Sequence, residues 1–262
     1  MEIKVTKADG TGNNFVIIYD NNNHELITNS DFIQKICSKN FGFNTDGMLL
    51  LSDYEKYDYK MDYFNNDGSW ETMCANGARC AALFMFQKRL VSKQILFLAG
   101  DGQHKIKIKD QDNIQLSMIQ PSFKSEEMIT QQYKGRYIDS GAKHFSTIVT
   151  GITPEKVKED GKKIRDDKAF RPDGINVNFM KIINAHHIEV FTYEKGIENM
   201  VLSCGSGSVA SAYYAYQKKL IQSPLDISVP GGNLQLIFNS AWNEVWLNGP
   251  AKLLPEATWN YK

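Results

Sequence analysis

Two of the four cysteines stand directly before glycine-rich segments that are typical of helix starts. Cys74 precedes residues 75–77, Ala-Asn-Gly, and Cys204 precedes residues 205–207, Gly-Ser-Gly. The first N–H groups of a helix have no partner within the helix, and the positive end of its dipole lies there. A thiol at this position has a lowered pKa and lies beside a site for an anion such as a carboxylate. One such thiol indicates a nucleophile or a redox centre, whereas two indicate a narrower chemistry.

If both helix starts face one amino acid, its α-carboxylate is held by two sets of N–H groups and a thiol lies on each side of its α-carbon. One thiolate then removes the α-proton, and the opposite thiol returns a proton to the other face, which inverts the stereocentre. Because the α-proton is a very weak acid, the carboxylate must be strongly stabilised in the transition state. Two helix ends supply that stabilisation, so we expect neither a metal nor a cofactor such as pyridoxal phosphate.

The two cysteines belong to a repeat with a spacing of 130 residues. Each is followed by an apolar stretch that ends in a basic segment, Gln-Lys-Arg-Leu at 87–90 and Gln-Lys-Lys-Leu at 217–220. The same spacing matches Tyr63 with Tyr193, Gly102 with Gly232, and residues 12–15 with 142–145. A unit that occurs only twice is not a solenoid. It predicts two similar domains related by a pseudo-two-fold axis.

Both halves predict the same order of elements: alternating strands, a glycine-bearing turn, a helix and then a hairpin. Shorter helical stretches occur around 31–39 and 154–168. We predict an α+β fold of two pseudo-symmetric domains, each a sheet wrapped around a central helix. The predicted domains are 1–120, with Cys74, and 121–262, with Cys204. The boundary lies in the polar stretch 119–135, and the last strand is allowed to pack on the first domain.

Composition limits the partners. Lys+Arg and Asp+Glu number 30 each among 262 residues, so no global basic field favours nucleic acid or an anionic membrane. No apolar run approaches the roughly 18 residues of a membrane span, and no signal-peptide stretch opens the sequence. We expect a cytoplasmic protein whose partner is a small amino acid, and a homodimer is left open.

The remaining cysteines and histidines have structural interpretations. No CxxC pair occurs among Cys37, Cys74, Cys80 and Cys204, which argues against a zinc ribbon or finger. Cys37 and Cys80 lie in apolar helical stretches and are predicted to be core residues. His144 is the one histidine of interest, because it occupies a motif position and is predicted to orient its loop.

At this point the sequence resembles the diaminopimelate epimerase family of cofactor-independent amino-acid racemases and epimerases, over essentially its whole length. The motifs that carry the resemblance are GTGNNFV (10–16), FGFNTDG (41–47), FNNDGS (64–69), CANGARCA (74–81), GINVNF (174–179), YEKG (193–196), CGSG (204–207), GG (231–232) and GPA (249–251).

The resemblance implies a two-domain fold and roles for individual residues. Cys74 and Cys204 are the implied acid/base pair. The backbone of two pairs of residues holds the reacting carboxylate, and further side chains contact the polar groups of the substrate. The carboxylate-binding residues are Ala75, Asn76, Gly205 and Ser206, and the other contacts are Asn13, Asn65, Asn176 and Glu194, with Lys195 beside them.

Several positions depart from the family pattern and bear on specificity. Asn14 and Ala75 replace an Asp and a Gly, and Met200-Val201 replaces Glu-Thr. The family's Gly-Asn-Pro-His turn is Gly141-Ala142-Lys143-His144, which loses a side-chain amide expected at the distal end of the substrate. Lys195 replaces an arginine, so a point charge stands where a bidentate fork is usual.

Three hypotheses for the function of the protein remain open. The leading hypothesis is a diaminopimelate epimerase, an isomerase of lysine and cell-wall precursor synthesis. The second is a racemase or epimerase of a different amino acid on the same scaffold, which the changes at Ala142 and Lys195 favour. The third is a non-catalytic binding or thiol-redox protein. Retention of both thiols together with Glu194 argues against the third.

Overall fold

The computed structural model describes residues 2–22 and 24–261. The five α-helices among these residues are α1 (His24–Ile27), α2 (Ser30–Cys37), α3 (Ala75–Gln87), α4 (Pro154–Arg165) and α5 (Gly205–Gln217), and a 3₁₀ turn covers Lys168–Phe170. Within the part of the chain that the structure describes, no helix is long and apolar enough to cross a membrane.

Within the described part of the chain the twenty strands are β1 (Glu2–Gly10), β2 (Asn13–Tyr19), β3 (Gly47–Tyr54), β4 (Tyr57–Asn65), β5 (Trp70–Glu71), β6 (Gln94–Ala99), β7 (Gly102–Ile108), β8 (Ile114–Ser117), β9 (Ser122–Phe123), β10 (Met128–Thr130), β11 (Tyr133–Asp139), β12 (Lys143–Ile148), β13 (Asn176–Asn184), β14 (His187–Glu194), β15 (Asn199–Val201), β16 (Leu225–Val229), β17 (Gly232–Phe238), β18 (Val245–Gly249), β19 (Lys252–Leu253) and β20 (Ala257–Asn260). With these helices and strands the fold is α+β, as the sequence predicts.

The first compact unit contains the residues up to Leu116 and the segment from Gly249 onward. Its strands follow the order β1, β2, β3, β4, β6, β7, β8, in which β2 and β3 are parallel and β4 and β6 are parallel. The C-terminal strand β20 returns to this unit and pairs antiparallel with β1, from Glu2 opposite Asn260 to Val5 opposite Ala257.

The second unit is the continuous segment Ser117–Asn248. Its strands follow the same order, β11, β12, β13, β14, β16, β17, β18, with parallel pairs at the same two places. The helices α3 and α5 occupy equivalent positions in the two orders, and each contacts several strands of its own unit. The predicted repeat of a sheet around a central helix is therefore present.

Each central helix is buried on nearly all sides, which explains why it shows little apolar periodicity. In α3 every residue from Asn76 to Met85 is buried. The opposite face of each sheet carries a shorter helix: α2 packs with Ile3, Val16 and Met48, and α4 packs with Phe145 and Val177. Each unit thus has two layers of apolar packing around its sheet.

The strand ladders correct the predicted register of the repeat. The helices are equivalent at a spacing of 130 residues, but β2–β4 and β12–β14 are equivalent at 129. The row Ile17, Leu49 and Tyr63 in the first unit corresponds to Ser146, Asn178 and Thr192 in the second. Tyr63 therefore matches Thr192 and not Tyr193, and Phe15 matches His144 and not Phe145. The reason lies in the hairpins that follow β1 and β11: four residues lie between the paired Asp9 and Asn14, whereas three lie between the equivalent pair Asp139 and Lys143.

Candidate active site

The two thiols have the same local backbone. Cys74 is the N-cap of α3 with φ −135° and ψ 115°, and Cys204 is the N-cap of α5 with φ −133° and ψ 112°. Both are half-buried thiols. Each lies beside the first N–H groups of its helix, which carry the positive end of the helix dipole. The structure therefore places both predicted thiols where a carboxylate is also bound favourably.

In the first unit, Cys74 lies against Asn13. The Cys74 Sγ is 3.8 Å from Asn13 Oδ1, a contact in which the thiol donates. Asn13 Nδ2 donates to Asp46 Oδ2 at 2.8 Å, and the backbone N–H of Asn14 donates to the same oxygen at 2.8 Å. Asp46 therefore orients the Asn13 amide so that its acceptor oxygen points at the thiol.

A buried arginine holds the first turn of α3. Arg79 is 0% exposed, and its guanidinium donates to Thr11 Oγ1 and to Asn76 Oδ1, each at 2.8 Å. It also donates to the carbonyl oxygens of Ala75 and Pro250, each at 3.3 Å. Burial lowers the pKa of Arg79, while its attraction to Cys80, Cys74 and Asp9 acts in the opposite direction. We call this set the Arg79 network.

β1 approaches α3 so closely that a side chain does not fit between them. A Cβ added at Gly10 would lie 2.7 Å from the carbonyl oxygen of Asn76 and 3.1 Å from Cys80 Sγ. The following Thr11 has a φ of +59° and is buried, which points its hydroxyl at Arg79. The close packing of β1 against α3 therefore explains why position 10 of the first motif is a glycine.

In the second unit, Cys204 lies against a buried set of polar side chains. Cys204 Sγ is 3.6 Å from Ser206 Oγ, and Ser206 Oγ is 2.9 Å from His144 Nε2. His144 Nδ1 is 3.1 Å from Asn178 Nδ2, which also donates to Ser146 Oγ at 3.1 Å. Thr192 donates to Asn178 Oδ1 at 2.9 Å. We call these five residues, Ser146, Asn178, Thr192, His144 and Ser206, the His144 network.

His144 is uncharged in this setting. It is 0% exposed, and burial lowers its pKa to about 3, with only a partial offset from the hydrogen bond to Asn178. His144 contacts Ser206 at the start of α5, two residues from Cys204. Its role in orienting the loop stays a prediction.

The other predicted contact residues lie at strand ends. Asn65 ends β4 and Glu194 ends β14, and both are half-buried at equivalent ladder positions. Asn65 accepts a hydrogen bond from Tyr63 and donates one to Ser69. Asn176 begins β13, and its Oδ1 accepts the backbone N–H of Lys195 at 2.9 Å. The Lys195 side chain is exposed.

The two remaining cysteines are core residues, as predicted. Cys37 is 3% exposed, and burial raises its pKa to about 11. Cys80 is 0% exposed, and burial raises its pKa as well. Across residues 2–22 and 24–261 there is no group of three or more His, Cys, Asp or Glu side chains that could hold a metal ion.

The sequence motifs contain several site residues for which the sequence alone predicts no role. Asp46, Arg79 and Asn178 lie inside the motifs FGFNTDG, CANGARCA and GINVNF. Their roles depend on contacts with residues far away in sequence, such as Asp46 with Asn13. Thr192 and Ser146 carry no motif signal, and only the strand register brings them to Asn178.

Comparison with solved structures defines the class by its fold. A hydroxyproline epimerase from Agrobacterium vitis matches with a TM-score of 0.74 at 12% identity, covering 98% of this chain and 92% of that one. A phenazine biosynthesis protein of the PhzF family from Bacillus anthracis matches with a TM-score of 0.75 at 13% identity, over 100% of both chains. This is the two-repeat α+β fold shared by these proteins.

Sequence comparison names the family. The family model described as "Diaminopimelate epimerase" matches residues 5–124 and 136–254. A curated diaminopimelate epimerase from Flavobacterium psychrophilum is 33% identical over 98% of this chain and 100% of its own length. The relative from Chlorobaculum tepidum is 31% identical over 95% and 98%. The chain therefore belongs to the diaminopimelate epimerase family and is an isomerase.

Proposed function

We propose that the protein interconverts LL- and meso-diaminopimelate with Cys74 and Cys204 as the two acid/base groups. The observation that carries this proposal is the matched pair of thiols, each the N-cap of an equivalent central helix with the same backbone geometry. Equivalent groups on two repeats suit a reaction whose forward and reverse directions differ only in the face of the carbon that is attacked.

In the proposed reaction, one thiolate takes the α-proton while the other thiol delivers its own proton to the opposite face. The electron pair of the broken C–H bond moves towards the α-carboxylate and then forms the new C–H bond. The N–H groups of Ala75, Asn76, Gly205 and Ser206 bind this carboxylate and stabilise the charge that it gains. At the end of one turnover the two thiols have exchanged protonation states.

The remaining predicted residues bind the polar groups of the substrate. Asn13 presents its Oδ1 as an acceptor because Asp46 takes its N–H, which suits an ammonium group. The Glu194 carboxylate is a second partner for an ammonium. Asn65 and Asn176 supply further amide contacts, and the Lys195 ammonium binds the distal carboxylate as a point charge.

The proposal also covers the cofactor requirement, the cellular compartment and the pathway. The enzyme uses neither pyridoxal phosphate nor a metal, acts in the cytoplasm, and serves lysine and cell-wall precursor synthesis. Paired thiols at two helix starts support the first point, since they supply both the proton transfers and the carboxylate binding.

The direct test is turnover of LL-diaminopimelate in deuterated water. Each thiol carries one exchangeable proton, so early product should contain deuterium at the inverted carbon while recovered substrate contains almost none. Mass spectrometry of the two separated isomers measures both. Equal deuterium in substrate and product at early times would indicate a single base, and the assignment of two acid/base groups would then be wrong.

A second candidate is a racemase or epimerase of a different amino acid. It is favoured by the loop at 141–143, where Ala142 replaces the usual amide and Lys143 forms an ion pair with Asp173 at 3.0 Å. A panel of amino acids, including proline, hydroxyproline and glutamate, should be followed for loss of optical purity beside diaminopimelate. Turnover of another member at a higher kcat/KM would favour this candidate.

A further inference from the structure

The His144 network has no counterpart among the described residues of the first unit. At the equivalent ladder positions His144 replaces Phe15, Ser146 replaces Ile17, Asn178 replaces Leu49, and Thr192 replaces Tyr63. The four polar residues are 0–4% exposed. Both rows face their central helix, because a Cβ at Gly77 would meet Leu49 and one at Gly207 would meet Asn178.

Such a polar row is not needed for stability. A set of hydrogen-bonded side chains can be replaced by apolar groups of similar shape at little cost, and the first unit carries mainly apolar side chains at the same ladder positions. A buried network that is fully hydrogen-bonded does fix the orientation of its members. The His144 network therefore fixes the orientation of a group, and its last member is the Ser206 hydroxyl next to Cys204.

The hydrogen bonds of the network fix the direction of each donor. Thr192 donates to Asn178 Oδ1, so the Asn178 amide turns its N–H groups towards His144 Nδ1 and Ser146. His144 Nδ1 then accepts, and its single proton lies on Nε2, which donates to Ser206 Oγ. The hydroxyl proton of Ser206 is left to point at Cys204 Sγ, 3.6 Å away.

The direct partners of His144 in this network, Asn178 and Ser206, are both uncharged. Other ionisable residues lie on the strands that pack against α5, namely Tyr133, Lys134, Arg136, Tyr137 and Asp139 on β11, Lys143 on β12, Lys181 on β13, and His187, Glu189, Tyr193 and Glu194 on β14. Lys143 pairs with Asp173 and Arg136 pairs with Glu126 in exposed ion pairs. Because burial lowers the pKa of His144 to about 3, its donor role persists through the neutral range.

We propose that the His144 network holds the Ser206 hydroxyl as a donor to Cys204 and so keeps Cys204 as a thiolate in the substrate-free enzyme. The inference rests on the proposed function only in that Cys204 is one of its two acid/base groups. His144 and Ser206 are positioning residues, because they act on the substrate through Cys204. The backbone N–H of Ser206 has a separate role in binding the carboxylate.

The test measures the ionisation of Cys204 without any substrate. The rate of alkylation by iodoacetamide is followed against pH, and peptide mass mapping reports Cys204 and Cys74 separately. In Ser206→Ala the pKa of Cys204 should rise by about one unit, because a thiolate loses a hydroxyl donor. The rate at Cys204 should fall about tenfold at pH values below its pKa, while the rate at Cys74 stays unchanged.

Two further variants separate orientation from simple loss of packing. Ser206→Thr keeps the hydroxyl and should leave the pKa of Cys204 at its original value. His144→Phe installs the residue found at the equivalent position of the first unit and should raise the pKa of Cys204 nearly as much as Ser206→Ala does. Circular dichroism of each variant checks that it is folded.

The matched control is Ser208→Ala. Ser208 is a buried serine on the same helix, and its hydroxyl donates to the backbone oxygen of Cys204 at 2.9 Å and not to the thiol. Its loss should leave the pKa of Cys204 unchanged. If Ser206→Ala shifts that pKa by no more than the control does, or if Ser206→Thr shifts it as much as Ser206→Ala, the network does not set the state of Cys204.

Activity gives a second readout. With diaminopimelate, Ser206→Ala should move the acidic limb of the kcat profile upward by the shift seen in alkylation, and activity should recover at higher pH. If the pKa of Cys204 shifts in alkylation but the protein turns over no amino acid, the role of the His144 network stands and the proposed function is wrong. If the deuterium pattern shows a two-base reaction but the pKa of Cys204 does not shift, the proposed function stands and the role of the network is wrong.

Discussion

The N-terminal ends of α3 and α5 share a backbone geometry but have different surroundings. In the first unit the neighbours of Cys74 include an exposed carboxylate, Asp46, acting through Asn13, and a buried guanidinium, Arg79. In the second unit Cys204 contacts the Ser206 hydroxyl, which lies at the end of a chain of imidazole and amide contacts through His144 and Asn178. The position of Arg79 is held by Val209 in the second unit, at the 130-residue spacing of the two helices.

The comparison separates the structural features that both units share from those that occur in only one unit. The helix start and its thiol occur in both, which fits a shared task of binding a carboxylate and moving a proton. The first unit stabilises its helix start with a charge, whereas the second fixes the direction of one hydroxyl. Two repeats of one fold therefore control their thiols by different physical means.

The largest expected effect removes one thiol. Cys74→Ala and Cys204→Ala should each lower epimerisation by at least about 1,000-fold, because neither sulfur can serve both faces of the carbon. Loss of optical purity of LL-diaminopimelate gives the rate. A single variant with near-normal turnover would show that the two halves are not equivalent in the chemistry.

The next largest effect is expected from replacing Arg79, the buried arginine at the start of α3. Arg79→Val installs the residue of the second unit and should lower the free energy of unfolding by about 2–4 kcal/mol, because Asn76 and Thr11 lose a buried donor. It should also raise the pKa of Cys74, since the attraction between the two groups is lost. Urea denaturation and alkylation measure the two effects.

Arg79→Lys separates charge from hydrogen bonding. The lysine keeps the positive charge but not the planar fork that reaches several acceptors. We expect most of the stability loss to remain while the pKa of Cys74 returns towards its original value. If instead both properties change together, the hydrogen bonds and not the charge act on the thiol.

A third prediction uses the pH dependence of stability. The pKa of His144 is about 3 in the folded protein, below its ordinary value, so the unfolded chain binds the extra proton between these two values. Stability should therefore fall as the pH drops from about 6.5 towards 3, by about 2 kcal/mol at pH 5 for this group. His144→Phe should lose this component, which denaturation at pH 7.5 and 5 would detect as a flatter profile.

The smallest expected effect lies where β1 and its equivalent approach the helices. Ser140 occupies the position of Gly10 in the second unit and donates to the carbonyl oxygen of Ser206 at 2.8 Å. Ser140→Ala should cost about 1 kcal/mol through the loss of one hydrogen bond. As a control, Gly151→Ala should be neutral, since a Cβ there would meet nothing within 4 Å.

Much of the fold could be predicted from the sequence because local signals repeat. The helix after each cysteine, the hairpins at β6–β7 and β16–β17, and the α+β class all follow from glycine turns and apolar stretches. The start of α3 at Ala75 follows from the glycine-rich segment after Cys74. The partners of each cysteine were harder, because they come from strands far away in sequence.

The one-residue error in the register had a physical cause and a consequence. The residue missing from the β11–β12 hairpin is compensated in the β14–β15 hairpin, where eight residues lie between the paired Thr192 and Val201 but seven between Tyr63 and Glu71, so the total spacing returns to 130. A search at one fixed repeat spacing cannot detect the loss of one residue in one hairpin when a later hairpin gains one. Since a shift of one residue moves every side chain of a strand to the other face, the match of Phe15 to Phe145 hid the polar row under α5.

The pairing of β20 with β1 has a consequence for synthesis. The second unit is one continuous segment, Ser117–Asn248, so all of its strands are synthesised before the last segment is made. In the first unit, residues 2–5 of β1 lack their antiparallel partner until residues 257–260 have been added. An unpaired strand edge promotes aggregation. The N-terminal part of β1 is therefore the edge that needs protection until the C-terminal strand arrives.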